Sequence, residues 1–280
     1  MSNCSKLKLT IKASFLFRLN TKTLYTKTKN KVKKLNLAII NQKEIMKKKQ
    51  KKHRGWFFTQ FKKVLKLFIK KPKMVFLGSL PKRNTIILSN HVGTTAPLKL
   101  ELYFPHKIRF WGTHEMNEGL GSVYKYLSNI FYHQKKGWPL WLAKIFCLLA
   151  APLSFLFYRG LNLIPTHKDV RLRKTLKESL ETLKQKTNIV IFPEDSKNGY
   201  LDTLQHFFAG FVILMQVAQK EHINLNVVVS YLNKKNNTYI FDKPISATTL
   251  FEKHTTRKAI ASALKNRCNQ LGEMTRNQKN

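Results

Sequence analysis

A histidine that follows a short apolar run is the residue of this chain best suited to acid–base chemistry, and a glutamate that could hold a loop or an acceptor hydroxyl follows a later run. His91 lies in the segment IILSNHVGTTAP (86–97), and Glu194 lies in the segment IVIFPEDSKNGYLDTLQHFFAG (189–210). Both segments have the pattern of a strand that ends in a polar loop. Histidine has the unperturbed side-chain pKa closest to neutral pH, and the carboxyl end of a strand is where an α/β sheet would hold such a base. The pattern therefore predicts a general base at His91.

The rest of the chain alternates apolar strand-like runs with helical patterns. A helical pattern over 171–186 leads directly into the strand before Glu194, and an apolar helical pattern over 207–219 follows the loop after it. This alternation predicts an α/β fold. We divide the chain into an N-terminal extension (1–45), a basic amphipathic membrane-facing segment (46–83), one α/β domain (84–248) and a C-terminal helix and tail (249–280).

Four blocks of sequence, in the same order, resemble the glycerolipid acyltransferase family, whose best-known members acylate lysophosphatidic acid. Members of that family carry His-x-x-x-x-Asp after one strand and Phe-Pro-Glu-Gly-Thr-Arg after a later one. His91 matches the first motif, and the segment Phe192–Lys197 matches the second. Leu163–Lys168 stands where the family has Ile-Pro-Val-x-Arg, and Leu225–Val229 stands where it has its final strand. The resemblance covers the chain from Asn84 to Ile245.

The resemblance implies a single mixed sheet flanked by helices and a reaction of phospholipid biosynthesis. His91 would remove the proton of a lysophospholipid hydroxyl as that oxygen attacks a thioester, with no covalent acyl-enzyme. The acyl donor would be a thioester of either an acyl-carrier protein or coenzyme A, and neither a metal nor a further cofactor is implied. The residues expected to bind substrate are Asn90, Gly93, Lys168, Glu194, Ser196 and Lys197.

The chain departs from the family pattern at its charged positions. Ala96 stands at the position of the motif aspartate, and Lys168 and Lys197 stand where the family has arginines. A lysine neutralises a phosphate as a point charge but lacks the two-pronged geometry of a guanidinium. What replaces the aspartate is open: a backbone carbonyl, a water held by Thr94 or Thr95, or the carboxylate of Glu101, Glu115 or Glu194. The alternative to a divergent enzyme is a catalytically inactive lipid- or membrane-binding protein on the same fold.

Charge and cysteine content limit the partners and the compartment. The formal net charge of +38 arises from 52 Lys and Arg against 14 Asp and Glu. Only ten of the basic residues are arginine, which base readout and stacking favour, so we expect no nucleic-acid partner. The excess of lysine fits an anionic membrane surface. Three cysteines without paired spacing indicate neither a disulfide framework nor a zinc site, which favours a reducing cytosol.

Two segments are candidates for contact with the cytoplasmic face of the cell membrane. Trp56–Lys71 has apolar residues close to helical spacing with lysines between them, as an interfacial helix would. Trp138–Tyr158 is the most apolar stretch; we expect Pro152 to interrupt it, which leaves a core helix or a half-inserted segment rather than a span of about 20 residues.

The segment 1–45 is expected to be disordered or to be translated upstream sequence, with translation beginning at Met46.

Overall fold

Eight strands form one mixed sheet in the computed structural model, which describes residues 55–79, 83–116, 118–167, 169–195 and 199–277. The strands are β1 (Lys73–Phe76), β2 (Thr85–Ser89), β3 (Ile108–Thr113), β4 (Ile164–Thr166), β5 (Asn188–Ile191), β6 (Asn226–Asn233), β7 (Thr238–Phe241) and β8 (Ile245–Ser246). Their order across the sheet is β1-β7-β6-β2-β5-β3-β4, and β8 pairs with β6. The pairs β6–β7 and β6–β8 are antiparallel, and the other pairs are parallel.

Helices flank the sheet, which confirms the predicted fold class. The described α-helices are α1 (Trp56–Phe68), α2 (Thr95–Tyr103), α3 (Leu120–Lys125), α4 (Leu140–Leu161), α5 (Leu172–Lys184), α6 (Gly210–Lys220), α7 (Ala247–Lys253) and α8 (Arg257–Asn277). A π-helix at Tyr126–Lys135 continues α3. The C-terminal helix predicted as one element is two helices, because the backbone is extended at His254. The extension 1–45 and the expected first residue Met46 lie outside the described residues.

The strand β2, which leads to His91, is enclosed on both faces. The side chains of Ile86, Ile87 and Leu88 are completely buried. Because successive side chains of a strand alternate, Ile86 and Leu88 pack with α6 and α8, whereas Ile87 packs with α2 and α4 on the other face. Burial on both faces is typical of a parallel strand covered by helices, and it explains why this run is continuously apolar.

Helix α4 passes through Pro152 without interruption over 22 residues, so the predicted break is wrong. A proline removes only one hydrogen bond of the helix, and the small buried residues Ala143, Cys147 and Ala151 pack one stripe of the helix against the domain. The core-helix alternative is also wrong, because large apolar side chains such as Leu149 (79% exposed) face outward. Among the described residues, α4 is the one helix long and apolar enough to cross a membrane, judged by length and composition. The half-inserted alternative stays a prediction.

The predicted N-terminal amphipathic helix is present as α1, and it packs on the end of α4. The ring of Phe58 is buried, and its centroid lies 5.9 Å from that of Phe157. Phe58 also covers Gly160, where an added Cβ would overlap the ring atom Cδ2. The strand β1 follows α1 and pairs with β7, so the sheet includes residues from both sides of the predicted boundary at position 84.

The substitution Gly160→Ala should destabilise the protein. The added methyl group would overlap the Phe58 ring, and overpacking of this kind lowers the free energy of unfolding by about 1–3 kcal/mol. Chemical denaturation measures the difference. The matched control is Gly121→Ala in α3, where an added Cβ meets nothing within 4 Å. Equal stability of the Gly160→Ala protein and the parent would contradict this packing of α1 on α4.

Candidate active site

The pairing of β2 with β5 brings the two predicted residues to the same edge of the sheet. The strands are parallel, with Leu88 opposite Ile191. His91 and Glu194 each lie three residues beyond this pair, where the carboxyl ends of neighbouring parallel strands meet. The main-chain N–H of His91 lies close enough to the Glu194 carboxylate to favour its ionised form. The structure therefore brings His91 and Glu194 to one edge of the sheet, and their roles in a site stay predictions.

The imidazole of His91 lies against two aromatic rings. Its centroid is 4.7 Å from that of Phe192, with the planes tilted by 59°, and 5.3 Å from that of Tyr200, with the planes only 19° apart. The Nδ1 atom of His91 is buried and has no hydrogen-bond partner among the described residues. The imidazole therefore stacks on Tyr200 and packs at an angle against Phe192, and a backbone hydrogen bond at Gly93 favours its charged form.

Two of the three carboxylates considered as substitutes for the motif aspartate are paired elsewhere. Glu101 lies 2.8 Å from Lys62 Nζ, and Glu115 lies 3.2 Å from His114 Nδ1. Ala96 is completely buried in the apolar layer formed with α4. Of the carboxylates considered, only Glu194 therefore remains beside His91.

The pKa of His91 is lowered from 6.5 to about 4, chiefly by burial. Burial disfavours the charged imidazolium, and the positive charge of Lys135 disfavours it further. The backbone of Gly93 opposes this shift without cancelling it. The imidazole is therefore neutral at pH 7, which is the state in which it can accept a proton.

The pKa of Glu194 is raised from 4.5 to about 7, again chiefly by burial, against the opposing effects of the His91 main-chain N–H and Lys135. Its Oε1 atom is buried and has no hydrogen-bond partner among the described residues. The backbone on either side is fixed, since Phe208 N–H donates to Pro193 O at 2.7 Å and Asp195 N–H donates to His206 O at 3.2 Å. Near neutral pH, Glu194 is therefore present both as the acid and as the carboxylate.

Asn90 and Gly93 shape the loop that carries His91. Asn90 Nδ2 donates to Leu232 O at 3.0 Å, and Leu232 N–H donates to Asn90 Oδ1 at 2.7 Å, so the carboxamide ties the loop to β6. Gly93 has a φ of +65°, which glycine adopts without steric cost, and an added Cβ would lie 3.7 Å from the Tyr200 ring. The predicted contacts of Asn90 and Gly93 with substrate stay predictions.

Three of the predicted substrate-binding residues, Lys168, Ser196 and Lys197, lie outside the described residues, and their roles stay predictions. Sequence analysis missed a different lysine, Lys135, at the end of the π-helix. Its charge acts on both His91 and Glu194. No motif marks this position, because folding alone brings the π-helix to the end of the sheet.

Half-buried tyrosines connect α4 with this site. Burial, together with the neighbouring phenol group of Tyr126, raises the pKa of Tyr158 and that of Tyr200, each to about 12. Tyr158 belongs to α4, Tyr126 to the π-helix, and Tyr200 to the loop after Glu194. The helix with the exposed apolar face therefore also contributes to the surroundings of His91.

A second cluster of polar side chains lies beyond the ends of β3 and β4. The ring centroids of His114 and His167 are 4.8 Å apart, and His114 Nε2 lies 3.7 Å from a carboxylate oxygen of Glu118. Across the part of the chain that the structure describes, no group of three or more His, Cys, Asp or Glu residues has the geometry of a metal site. The absence of a metal stays an expectation of the sequence analysis.

Comparison with solved structures finds a similarity to the crystal structure of the 1-acyl-sn-glycerophosphate (LPA) acyltransferase, PlsC, from Thermotoga maritima. The sequence identity is 16%, the match covers 76% of this chain and 78% of that chain, and the TM-score is 0.44. No family model and no curated protein matches the chain. A similarity at this identity and TM-score concerns architecture alone, so no function is inferred from it.

Introducing an aspartate at position 96 should destabilise the protein. Ala96 is buried among apolar side chains, and an unpaired carboxylate there should lower the free energy of unfolding by about 3–5 kcal/mol. Chemical denaturation of Ala96→Asp beside Thr94→Asp, whose position is exposed, separates the effect of burial from that of charge. A stable Ala96→Asp protein in which the pKa of His91 rises would instead show that the new carboxylate reaches the imidazole.

The substitution Glu194→Gln should change how stability depends on pH. Because the pKa of Glu194 is about 7 in the folded protein and 4.5 for an ordinary glutamate, the folded state binds more protons between these values. Stability is therefore lost as the pH rises from 4.5 to 7, and Glu194→Gln should recover on the order of 2 kcal/mol across this range. Chemical denaturation of both proteins at pH 4.5 and pH 7 measures the difference in the free energy of unfolding. Both proteins contain His91, so the opposite dependence of stability on pH that its lowered pKa causes cancels to first order. A difference that does not vary with pH would contradict the raised pKa.

Proposed function

We propose that this chain is an acyltransferase of phospholipid biosynthesis that moves a fatty acyl group from a thioester donor to the hydroxyl of a lysophospholipid or related acceptor. The observation that carries the proposal is the neutral imidazole of His91 beside Glu194, where the carboxyl ends of β2 and β5 meet. A neutral imidazole is what a general base requires, and it lies at the edge of the sheet where α/β proteins bind their ligands.

The reaction needs one base and no covalent intermediate. His91 removes the hydroxyl proton as the acceptor oxygen attacks the carbonyl carbon of the thioester, and a tetrahedral intermediate forms. The carbon–sulfur bond then breaks, and the thiolate of the coenzyme A or acyl-carrier protein donor takes the proton from the imidazolium. Since burial and Lys135 both disfavour the imidazolium, the site favours return of that proton to the leaving group.

The neighbouring polar groups are proposed to hold the acceptor. Glu194 has a buried oxygen without a partner among the described residues and a pKa of about 7, which suits a hydrogen bond to a hydroxyl group. Lys135 supplies a positive charge beside both residues. Lys168 and Lys197, which stand where the family has its phosphate-binding arginines, are proposed to bind the acceptor phosphate, and Ser196, Asn90 and Gly93 are proposed as further substrate-binding residues.

We place the reaction at an anionic membrane surface, on its cytoplasmic face. Large apolar side chains of α4 are exposed, among them Trp141, Leu148 and Leu149, and the exposed face of α1 carries Trp56 and Phe68 with lysines between its apolar positions. Aromatic residues favour the headgroup zone, and lysines favour anionic lipid. An acceptor that resides in the membrane would reach His91 from the side on which α4 contributes Tyr158.

A second candidate function is that of a catalytically inactive lipid- or membrane-binding protein. The buried Ala96 favours it, together with the absence of a hydrogen-bond acceptor for His91 Nδ1 among the described residues. Such a protein would use the same apolar surface but would not need His91 as a base.

Replacement of His91 distinguishes the two functions. We expect the purified parent to acylate at least one lysophospholipid from a coenzyme A or acyl-carrier protein thioester, with the product read by mass spectrometry. His91→Asn should lower the rate by about 100-fold or more, because the base is lost. The matched control His222→Asn, at an exposed position outside the site, should leave the rate unchanged.

The lipid-binding alternative gives a different result. No product from any pair of donor and acceptor, with binding to anionic vesicles retained by both the parent and His91→Asn, would overturn the enzyme proposal in favour of the second candidate. Product formed equally by parent and His91→Asn would overturn the role of His91.

A further inference from the structure

The two rings beside His91 are themselves firmly supported. Phe192 directly follows β5 and stacks on Phe110 of β3, with centroids 6.2 Å apart and planes within 5°. Phe110 is buried in the layer between the sheet and α4. The position of the Phe192 ring is therefore determined by the core.

Tyr200 is supported through its loop. Tyr231 Oη of β6 donates to Asp202 O at 2.7 Å. Asn269 of α8 pairs with the backbone of Leu204 in both directions, with Leu204 N–H donating at 2.8 Å and Asn269 Nδ2 donating at 3.0 Å. These bonds fix the chain just after Tyr200 to the sheet and to the C-terminal helix.

Two further contacts locate the Tyr200 ring itself. The Nζ of Lys135 lies 5.9 Å from the ring centroid, a cation–π distance. Gly93 leaves room on the side of the His91 loop, where an added Cβ would lie 3.7 Å from the ring. The ring is thus bounded by the π-helix and by the turn after His91.

We propose that Phe192 and Tyr200 form an aromatic clamp that orients the half-buried His91 imidazole and shields its Nδ1 side from water, in the role that a carboxylate partner would otherwise serve. The proposal rests on the proposed function, in which His91 is the base. Phe192 and Tyr200 are positioning residues in this account, because they act through His91 rather than on the substrate.

A clamp of this kind differs physically from a carboxylate. An aspartate orients a histidine by accepting a hydrogen bond, and its charge stabilises the imidazolium. Stacking on Tyr200 and the angled contact with Phe192 fix the plane of the imidazole without adding charge, and partial shielding from water disfavours the imidazolium. The buried Nδ1 without a partner among the described residues and the lowered pKa of His91 are both consequences expected of stacking and not of a carboxylate.

The charged and titratable groups that face His91 belong to three elements. They are Lys135 on the π-helix, Glu194 after β5 and Tyr200 in the following loop. The pKa of Tyr200 is raised to about 12, so its phenol stays neutral at every pH at which His91 titrates. A change in the His91 titration on replacement of Tyr200 would therefore report the loss of the ring and not the loss of a charge.

A pH titration of the histidine signals by NMR tests the clamp without any assay of activity. The full chain is compared with Tyr200→Phe, which keeps the ring, and with Tyr200→Leu, which removes it. Tyr200→Leu should raise the pKa of His91 by about 1–2 units, because water reaches the imidazole, and Tyr200→Phe should restore the parent value. The exposed His222 provides an internal reference in the same spectra. An unchanged His91 pKa in a folded Tyr200→Leu protein would overturn the clamp.

Kinetics of acyl transfer provide the second readout. Tyr200→Leu should lower kcat by about 100-fold with little change in KM, since the base is misplaced while the substrate contacts remain, and Tyr200→Phe should recover most of the loss. Unchanged kcat in Tyr200→Leu would overturn the positioning role. If His91 titrates as expected in all three proteins but none transfers an acyl group, the clamp stands and the proposed function fails.

Discussion

The parallel, in-register pairing of β2 with its neighbours is the constraint on which the site depends. With Leu88 opposite both Ile191 of β5 and Val229 of β6, the chain must leave β2 and β5 at the same level of the sheet. His91 and Glu194 then meet without any direct bond between their side chains being required. A shift of one residue in this register would turn Ile87 towards the opposite apolar layer, so the burial of β2 on both faces maintains the register.

Burial shifts the pKa values of His91 and Glu194 in opposite directions, and both shifts favour the neutral form of the side chain. It lowers the pKa of His91 to about 4 and raises that of Glu194 to about 7, so the pair loses charge rather than forming an ion pair. Lys135 disfavours the imidazolium of His91 and favours the carboxylate of Glu194, so its charge lowers the pKa of both side chains. In the proposed reaction, this environment keeps His91 neutral before the transfer and favours the return of the proton to the leaving thiolate.

Sequence patterns were sufficient for the features that depend on local periodicity. The apolar runs before His91 and Glu194 are strands, and the α/β class follows from their alternation with helices, whereas the expectation of one mixed sheet came from the family resemblance. Sequence patterns did not predict the features that depend on packing between segments distant in the sequence. The stacking of Tyr200 on His91 and the approach of Lys135 join segments with no shared motif, and α4 continues through Pro152 because its buried stripe packs on the domain. A sequence motif also could not predict that Ala96 is buried in an apolar layer, because the motif shows only that this position does not carry an aspartate.

A double-mutant cycle on the kcat/KM of acyl transfer, with His91→Asn, Glu194→Gln and the combined protein, tests most directly whether the two residues work in one site. If they act together, the double replacement should lower kcat/KM no more than the more damaging single replacement does, because each single change already disables the shared step. Independent effects that multiply in the combined protein would contradict the account, and so would a full rate in the His91→Asn protein.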